Sequence, residues 1–503
     1  MLNLRFLKSG TDIRGTAIGE GCALSSEAVR ALGAGFALWR QKENQPLKTV
    51  SIGRDSRLSG ERIVAAVSEG LRAMGVDVID FGLCTTPAMF MSLSTEGYRA
   101  DAAIMVTASH HPSDKNGLKF ILPSGGIDGA ALDQVIEQAE NLTVPAVLVG
   151  AYSQKNYLPA YKELLKERVR RGLETDIAKP LLGLHVVVDA GNGAGGFYAD
   201  LLEELGAWIE GSQFLNPDGA FPNHIPNPEN SDAMKSISAA VTEHGADLGV
   251  IFDADCDRAA IVDQSGKEIN RNRLIALISA ILLDEQPGAT IVTDSVTSSG
   301  LAQFITEWGG VHYRYKRGYR NVIDEAIRLN QAGINTPLAI ETSGHAALRE
   351  NHFLDDGMYL VTVLIVQAMK LKQEDKTLSS LISDLREPME STEIRMPILA
   401  EDFRQTGRDA IARVMDYAAF ARGWHIAPDN REGIRINFDL DGGLENGWLL
   451  LRLSVHDPVL PLNIESDVRG GAKQMAQGLL YILENENQID LTNLRQFINQ
   501  TEE

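Results

Sequence analysis

The strongest constraint on this chain is a recurring pattern: a short run of β-branched and apolar residues, a helical stretch, then another such run. TVSIGRD (49–55), ERIVAAVSEGLRAMG (61–75), VDVIDFG (76–82) and DAAIMVTAS (101–109) show it first. Strand, helix, strand at this spacing predicts a mostly parallel sheet covered by helices, an α/β layer. The pattern returns at GLHVVVDAGNGAGG (183–196), where a helix-like YADLLEELG and then AWIEG follow. It recurs at ADLGVIFDADCDR (246–258), TIVTDSV (290–296) and TPLAIETSG (336–344). A chain of 503 residues exceeds one core, because single cores stop growing at about 250–300 residues. Breaks at ENLTVPAVLVG (140–150), LLDEQPGAT (282–290) and REPMESTEIRMP (386–397) put boundaries near 150, 288 and 396. Beyond 430, REGIRINFDLDGG and GWLLLRLSVHDP read as a hairpin-like pair of strands. The expected organisation is four domains: three related mixed α/β units over 1–150, 151–287 and 288–396, then a smaller α+β domain over 397–503.

Charge narrows the partners. With 47 basic against 68 acidic side chains the net charge is −21, which argues against nucleic acid or an anionic membrane as a partner. Phosphorylated small molecules remain open, since they need only a local basic pocket. The three cysteines (Cys22, Cys84, Cys256) are too few and scattered for a disulfide framework or a zinc ribbon, so the reducing cytosol is the expected compartment. The opening MLNLRFLKSG has a short apolar stretch broken by Arg5 and Lys8, unlike a signal peptide. The longest apolar run, LIALISAILL (274–283), is about half a bilayer span and predicts a buried helix. The expectation is a cytoplasmic protein without a membrane partner.

Candidate chemistry lies at the ends of the apolar runs. Asp253, Asp255 and Asp257 follow VIF, and strand alternation would project all three from one face near the C-terminal end, where open α/β sheets place ligands. Crowded carboxylates repel unless a cation neutralises them, and hard oxygen ligands point to Mg²⁺. A solvated acidic loop is the plainer alternative. An EF-hand fails, because Arg258 and Gln264 stand where it needs glycine and a bidentate Glu. In TASHHPSDKNGLKF (107–120) the strand AAIMV runs into Ser109, with His110, His111 and Lys119 close in sequence. A serine so placed could carry a phosphoryl or acyl group if a base or metal helps it, although a Ser/Thr turn with surface histidines fits equally. Gly191, Gly193 and Gly196 of DAGNGAGG satisfy G-x-G-x-x-G, a formal dinucleotide site or simply a tight turn. Glu341, Ser343 and His345 of ETSGHAALREN offer carboxylate, hydroxyl and imidazole to a polyol, unless Ser343 merely caps a helix. Arg14, Arg54 and Arg57 each stand near an Asp, as surface ion pairs would.

In this order the motifs resemble the α-D-phosphohexomutase family, the phosphoglucomutases and phosphomannomutases. GTDIRG (10–15), GRDSR (53–57), TASHHPSDKNGLK (107–119), PDGAFPNHIPNPE (217–229), FDADCDR (252–258) and ETSGH (341–345) carry the likeness over nearly the whole chain. The resemblance implies four domains around a central cleft, and a glycine-rich turn in the second that needs no nucleotide. It implies that Ser109 is the phosphoserine and that Asp253, Asp255 and Asp257 hold one Mg²⁺ with an oxygen of that serine group. Arg14, Arg258 and Lys119 would flank the transferring group, with Lys119 as general acid or base and His110 beside the serine in the catalytic set. Glu341, Ser343 and His345 would bind the sugar. Arg452, Ser454 and His456 would bind its distal phosphate.

The implied activity interconverts hexose 1-phosphate and hexose 6-phosphate, of glucose or mannose, with hexose 1,6-bisphosphate as primer. Sugar phosphates are then the partners, and the protein a monomer or homodimer. Two positions depart from the family. His111 stands where Asn is usual, a group that can titrate near neutrality. The loop usually reading R-P-S-G-T-E-P is Arg452-Leu453-Ser454-Val455-His456-Asp457-Pro458. A β-branched residue restricts close approach of backbone to an anion. That change supports a second expectation, a hexose-1,6-bisphosphate synthase that transfers phosphoryl from a sugar bisphosphate and releases the new one. A third is a non-catalytic sugar-phosphate sensor on the same scaffold.

Overall fold

The computed structural model describes residues 2–454 and 457–500. The chain divides into two compact units: one takes the residues up to Leu274 with Ser343–Leu381, the other Ile275–Thr342 with Ile382 onward.

The first sheet of the first unit has eight strands. Ala102–Val106, Thr49–Arg54, Asp77–Leu83 and Tyr152–Gln154 run parallel. Lys115–Leu122, Asp12–Thr16 and Lys8–Ser9 continue the sheet antiparallel, with Gly125–Gly126 antiparallel beside Lys115–Leu122, so it is mixed rather than mostly parallel. AAIMV (102–106) is buried at every position, which explains its unbroken apolar run in a covered sheet. Helices Ser26–Lys42 and Gly129–Asn141 start at capping side chains, Ser25 and Asp128, each accepting a backbone N–H. They and Gly60–Ala73 contribute Leu32, Phe36, Val67 and Val135 to one core with Ile52 and Ile104. The helices Ser26–Lys42 and Gly60–Ala73 cross so closely that a Cβ on Gly70 would lie 2.0 Å from the Arg30 carbonyl oxygen. Tyr152–Gln154 falls beyond position 150 yet pairs with Asp77–Leu83, so this sheet closes slightly later than the sequence break suggests.

The second sheet orders Glu268–Ile269, Ala259–Asp263, Leu248–Phe252 and Val186–Asp189. Leu248–Phe252 runs parallel to Val186–Asp189 and antiparallel to Ala259–Asp263, with Phe252 opposite Ala259. Residues 253–258 are therefore the connection of a β-hairpin. AWIEG (207–211) forms no strand: Trp208 makes only an isolated bridge to His185 and is 73% exposed.

In the second unit, Val311–Arg314, Thr290–Thr293 and Leu338–Ile340 pair in parallel. The apolar run 274–283 lies in the helix Asn272–Glu285 and is buried, as its length and polarity suggest. The C-terminal sheet is antiparallel throughout: Glu390–Pro397, Val459–Ser466, Gly447–Leu451, Ile434–Phe438 and Trp424–Ile426. Helices Phe403–Ala418, Gly471–Leu483 and Thr492–Asn499 complete its core with Val414, Leu479 and Leu494. It begins at Glu390, a few residues before the position the sequence suggests. Among the described residues no helix is long and apolar enough to cross a membrane.

Candidate active site

Ser109 lies three residues beyond the strand Ala102–Val106, in left-handed backbone (φ 50°) that a non-glycine residue holds only when its surroundings enforce it. The enforcement is visible. Thr107 Oγ1 accepts the Ser109 N–H at 2.8 Å and donates to Asp55 Oδ2 at 2.7 Å. Asp55 also accepts the Arg57 backbone N–H and its Nε–H. The other guanidinium N–H groups donate to the carbonyls of Pro112 and Lys115 from one nitrogen and of Ser109 and His111 from the other. All five donors of this side chain are used. Both members of the Arg57–Asp55 pair have fully buried side chains, so the surface ion pair that the sequence allowed is instead the hub of the serine turn.

The Ser109 hydroxyl donates to Asp253 Oδ2 at 2.7 Å. Asp253, Asp255 and Asp257 converge because residues 253–258 form a tight turn, with Cys256 in left-handed backbone (φ 63°), rather than through strand alternation. Each offers an oxygen within 4.8 Å of the others, and the Oδ1 atoms of Asp255 and Asp257 are buried without a hydrogen-bond partner. Burial, and then the neighbouring carboxylates of Asp257 and Asp255, pushes the Asp253 pKa well above the ordinary range. Buried, mutually repelling carboxylates with bare oxygens fit a hard cation such as Mg²⁺. Lys119 supplies part of the balance: its ammonium donates to Asp255 Oδ2 at 2.9 Å and to Asp257 Oδ2. Although burial opposes it, these carboxylates hold the Lys119 pKa well above normal, so the side chain faces them as a cation. Burial raises the Asp257 pKa, but the Lys119 and Arg258 charges help to bring it below the usual value.

Arg258, the next residue, donates from Nε to His345 Nε2 at 2.8 Å, and His345 Nδ1 lies 2.6 Å from Asp355 Oδ2. A guanidinium only donates, so His345 Nε2 accepts and its proton sits on Nδ1, facing Asp355. Arg14 pairs with Asp12 at 2.8 Å, and Asp255 and Asp257 are among the charges that raise its pKa. His110 Nδ1 lies 3.2 Å from Ser109 Oγ. Because the single hydroxyl proton points to Asp253, His110 faces the serine as a donor. Burial, helped by Arg258, keeps His110 neutral by lowering its pKa. Burial and then Arg14 push His111 down to about 4, so it does not titrate near neutrality as its ordinary pKa suggested.

The remaining candidates divide between the units. Ser343 and His345 lie in the first and are buried, and Ser343 caps no helix because Ala346–Leu348 is a strand. Glu341 lies in the second unit, where it accepts the Gly318 N–H at 2.6 Å. Arg452 is buried in that unit, its pKa lowered by burial and by Arg317, with Glu432, Glu393 and Asp294 pulling the other way. Ser454 bonds through its N–H to the Val459 carbonyl and through its hydroxyl to the Asp457 N–H. Val455 and His456 lie outside the described residues. The glycine-rich turn is filled by protein: Cβ atoms on Gly193 and Gly196 would meet the Ala254 and Leu215 carbonyl oxygens at 2.7 and 2.0 Å. A pyrophosphate has no place there.

Several partners escaped the sequence reading. Thr86 donates to Asp255 Oδ2 across 169 positions and Thr107 to Asp55 across 52, separations that no local pattern encodes. Asp355 carried a faint signal, since it precedes Asp356, which caps the helix Gly357–Lys372 and leaves its neighbour without a capping task.

The comparisons point one way. Family models described as phosphoglucomutase/phosphomannomutase alpha/beta/alpha domains I, II and III match residues 6–143, 159–266 and 270–389. A phosphomannomutase/phosphoglucomutase of Pseudomonas syringae pv. tomato is 30% identical over 463 residues, 91% of each chain. A phosphomannomutase of Escherichia coli is 33% identical over 430 residues, 83% of this chain and 87% of that one. Among solved structures, a phosphoglucomutase/phosphomannomutase family protein from Burkholderia thailandensis superposes with a TM-score of 0.77 at 28% identity, over 96% of this chain and 98% of its own.

Proposed function

This chain belongs to the α-D-phosphohexomutase family, and we propose that it interconverts hexose 1-phosphate and hexose 6-phosphate of glucose or mannose through phospho-Ser109 and a hexose 1,6-bisphosphate intermediate. The observation that carries this reading is the Ser109 hydroxyl at 2.7 Å from Asp253, within a buried carboxylate triad faced by Lys119. Phosphoryl transfer asks chiefly for positioning and charge neutralisation. Asp253, Asp255 and Asp257 would hold Mg²⁺, whose contribution is to neutralise charge on phosphoryl oxygens. In each half-reaction the bond between phosphorus and Ser109 Oγ breaks as one forms to a sugar hydroxyl, or the reverse. Arg14, Arg258 and Lys119 would balance the moving charge, with Lys119 as general acid or base: its ammonium would give a proton to the departing oxygen and regain one from the attacking hydroxyl, while His110 orients Ser109. Glu341, Ser343 and His345 would take the sugar hydroxyls, and Arg452 with Ser454 the far phosphate. The reading makes this a cytosolic enzyme of sugar phosphates, monomeric or dimeric, with boundaries near 150, 288 and 396.

The test is ³¹P NMR of purified protein with Mg²⁺, hexose 1-phosphate and glucose 1,6-bisphosphate. Steady conversion to the 6-phosphate is expected, and its absence overturns the reading. The Val455 and His456 replacements favour one alternative, a bisphosphate synthase. Net accumulation of glucose 1,6-bisphosphate with little isomerisation would establish it instead. A sensor without catalysis would take up no phosphate on Ser109.

A further inference from the structure

PDGAFPNHIPNPE (217–229) has no part in the chemistry above, yet it touches both halves of the site. Its first contact is with the Arg57 loop that supports the serine turn. Gly219 sits so close to the Ser56–Leu58 backbone that a Cβ there would lie 2.4 Å from the Leu58 nitrogen and 2.6 Å from the Arg57 Cα. Two residues on, the Phe221 ring covers the face of the Arg57 guanidinium at 5.1 Å. The edges of that guanidinium hold four carbonyls and Asp55, so the ring takes the surface that hydrogen bonds leave over. The second contact is with the acidic turn. Glu229 Oε2 lies 3.5 Å from Arg258 Nη1, on the same side chain whose Nε binds His345.

Between these ends the segment is anchored to the glycine-rich turn. Asn192 receives the Asp218 N–H on its carbonyl, bonds the Asn216 carbonyl through its amide, and accepts from Asn223 on its side-chain oxygen. His224 Nε2 lies 3.0 Å from the fully buried Asp189 carboxylate. The neighbouring Ala194 N–H reaches the Ala254 carbonyl inside the acidic turn itself. One continuous set of contacts thus runs from Arg57 through residues 217–229 to Arg258, and the glycines of 189–196 are its socket.

We propose that this segment is a positioning brace for phosphoryl transfer, in which Phe221 fixes Arg57 beneath the Ser109 turn and Glu229 fixes Arg258 against His345. The proposal rests on the phosphotransfer reading above for its kinetic consequence. Neither residue need touch substrate. Their effect is geometric, and a displacement of about 1 Å at a reacting group is enough to lower a rate by up to about a hundredfold.

The test compares Phe221→Leu, which removes the π face, with Phe221→Tyr, which keeps it, alongside Glu229→Gln. With wild-type protein turning over, Phe221→Leu and Glu229→Gln should lower kcat about tenfold and leave KM within about twofold. Phe221→Tyr should retain nearly the wild-type kcat, and melting temperatures should stay within a few degrees. An unchanged kcat, a loss confined to KM, or an equal loss in Phe221→Tyr overturns the brace. If wild-type protein neither isomerises nor takes up phosphate from glucose 1,6-bisphosphate, the phosphotransfer reading fails and amide hydrogen exchange judges the brace alone. Faster exchange at 109–116 in Phe221→Leu and at 253–259 in Glu229→Gln supports it; unaltered exchange in both overturns it.

Discussion

Ser109 donates its hydroxyl proton to Asp253 across 2.7 Å, although 144 positions separate them in the chain. The hydroxyl therefore rests against the acid cluster, and modification of Ser109 would place new negative charge beside three carboxylates. Ser109→Ala should abolish phosphate uptake from glucose 1,6-bisphosphate, read by intact mass, and reduce isomerisation at least about a thousandfold. Retained uptake in the variant would assign the phosphoryl group to another residue.

Mg²⁺ should stabilise the protein. Burial and the Asp257 and Asp255 charges raise the Asp253 pKa, so the fold favours the protonated carboxyl. That contribution is lost as pH rises from the ordinary carboxylate value through the raised one. A bound cation replaces the proton, so the Mg²⁺-dependent gain in melting temperature should grow with pH over that window. Saturation to a hundred times Kd gives about 2.7 kcal/mol. Asp255→Asn should shrink the gain, and an equal gain in this variant by scanning calorimetry would locate the cation elsewhere.

Arg57→Ala should be among the most damaging substitutions outside the acid cluster. It leaves the Asp55 carboxylate buried without its cation and four carbonyls without their donor. Breaking a buried pair costs about 3–5 kcal/mol. Urea unfolding measures this, and a loss below about 1 kcal/mol, the range of exposed pairs, would contradict the buried hub.

His111→Asn should leave the pH dependence of kcat/KM unchanged between about pH 6 and pH 8. Burial and the Arg14 charge hold the His111 pKa at about 4, so the ring is already neutral throughout that range. A limb of the profile that disappears in the variant would show that the imidazole titrates during turnover.

Much of this site was legible in the chain. Runs such as AAIMV and LGVIF announce strands because burial on both faces selects uninterrupted apolar residues, and turn chemistry then marks where Ser109 and the three aspartates emerge. Asp55 and Arg57 were misread because adjacent opposite charges look alike whether solvated or sealed; burial is a property of what packs over them, here Phe221 and the serine turn. Cys256 and the convergence of Asp253, Asp255 and Asp257 depend on a left-handed residue within a hairpin connection, which periodicity does not reveal. The pairing of His345 with Asp355 likewise comes from a strand between them, not from their spacing.

Because Arg57 grips the serine turn through backbone carbonyls, its hold does not depend on the side chains at positions 110 and 111. Positions 110 and 111 can therefore exchange imidazole, amide or hydroxyl without rebuilding the support beneath Ser109. Scaffold and reagent are separable at this point of the molecule, and the identity of these two residues is a variable that substitution can scan while the backbone beneath the nucleophile stays in place.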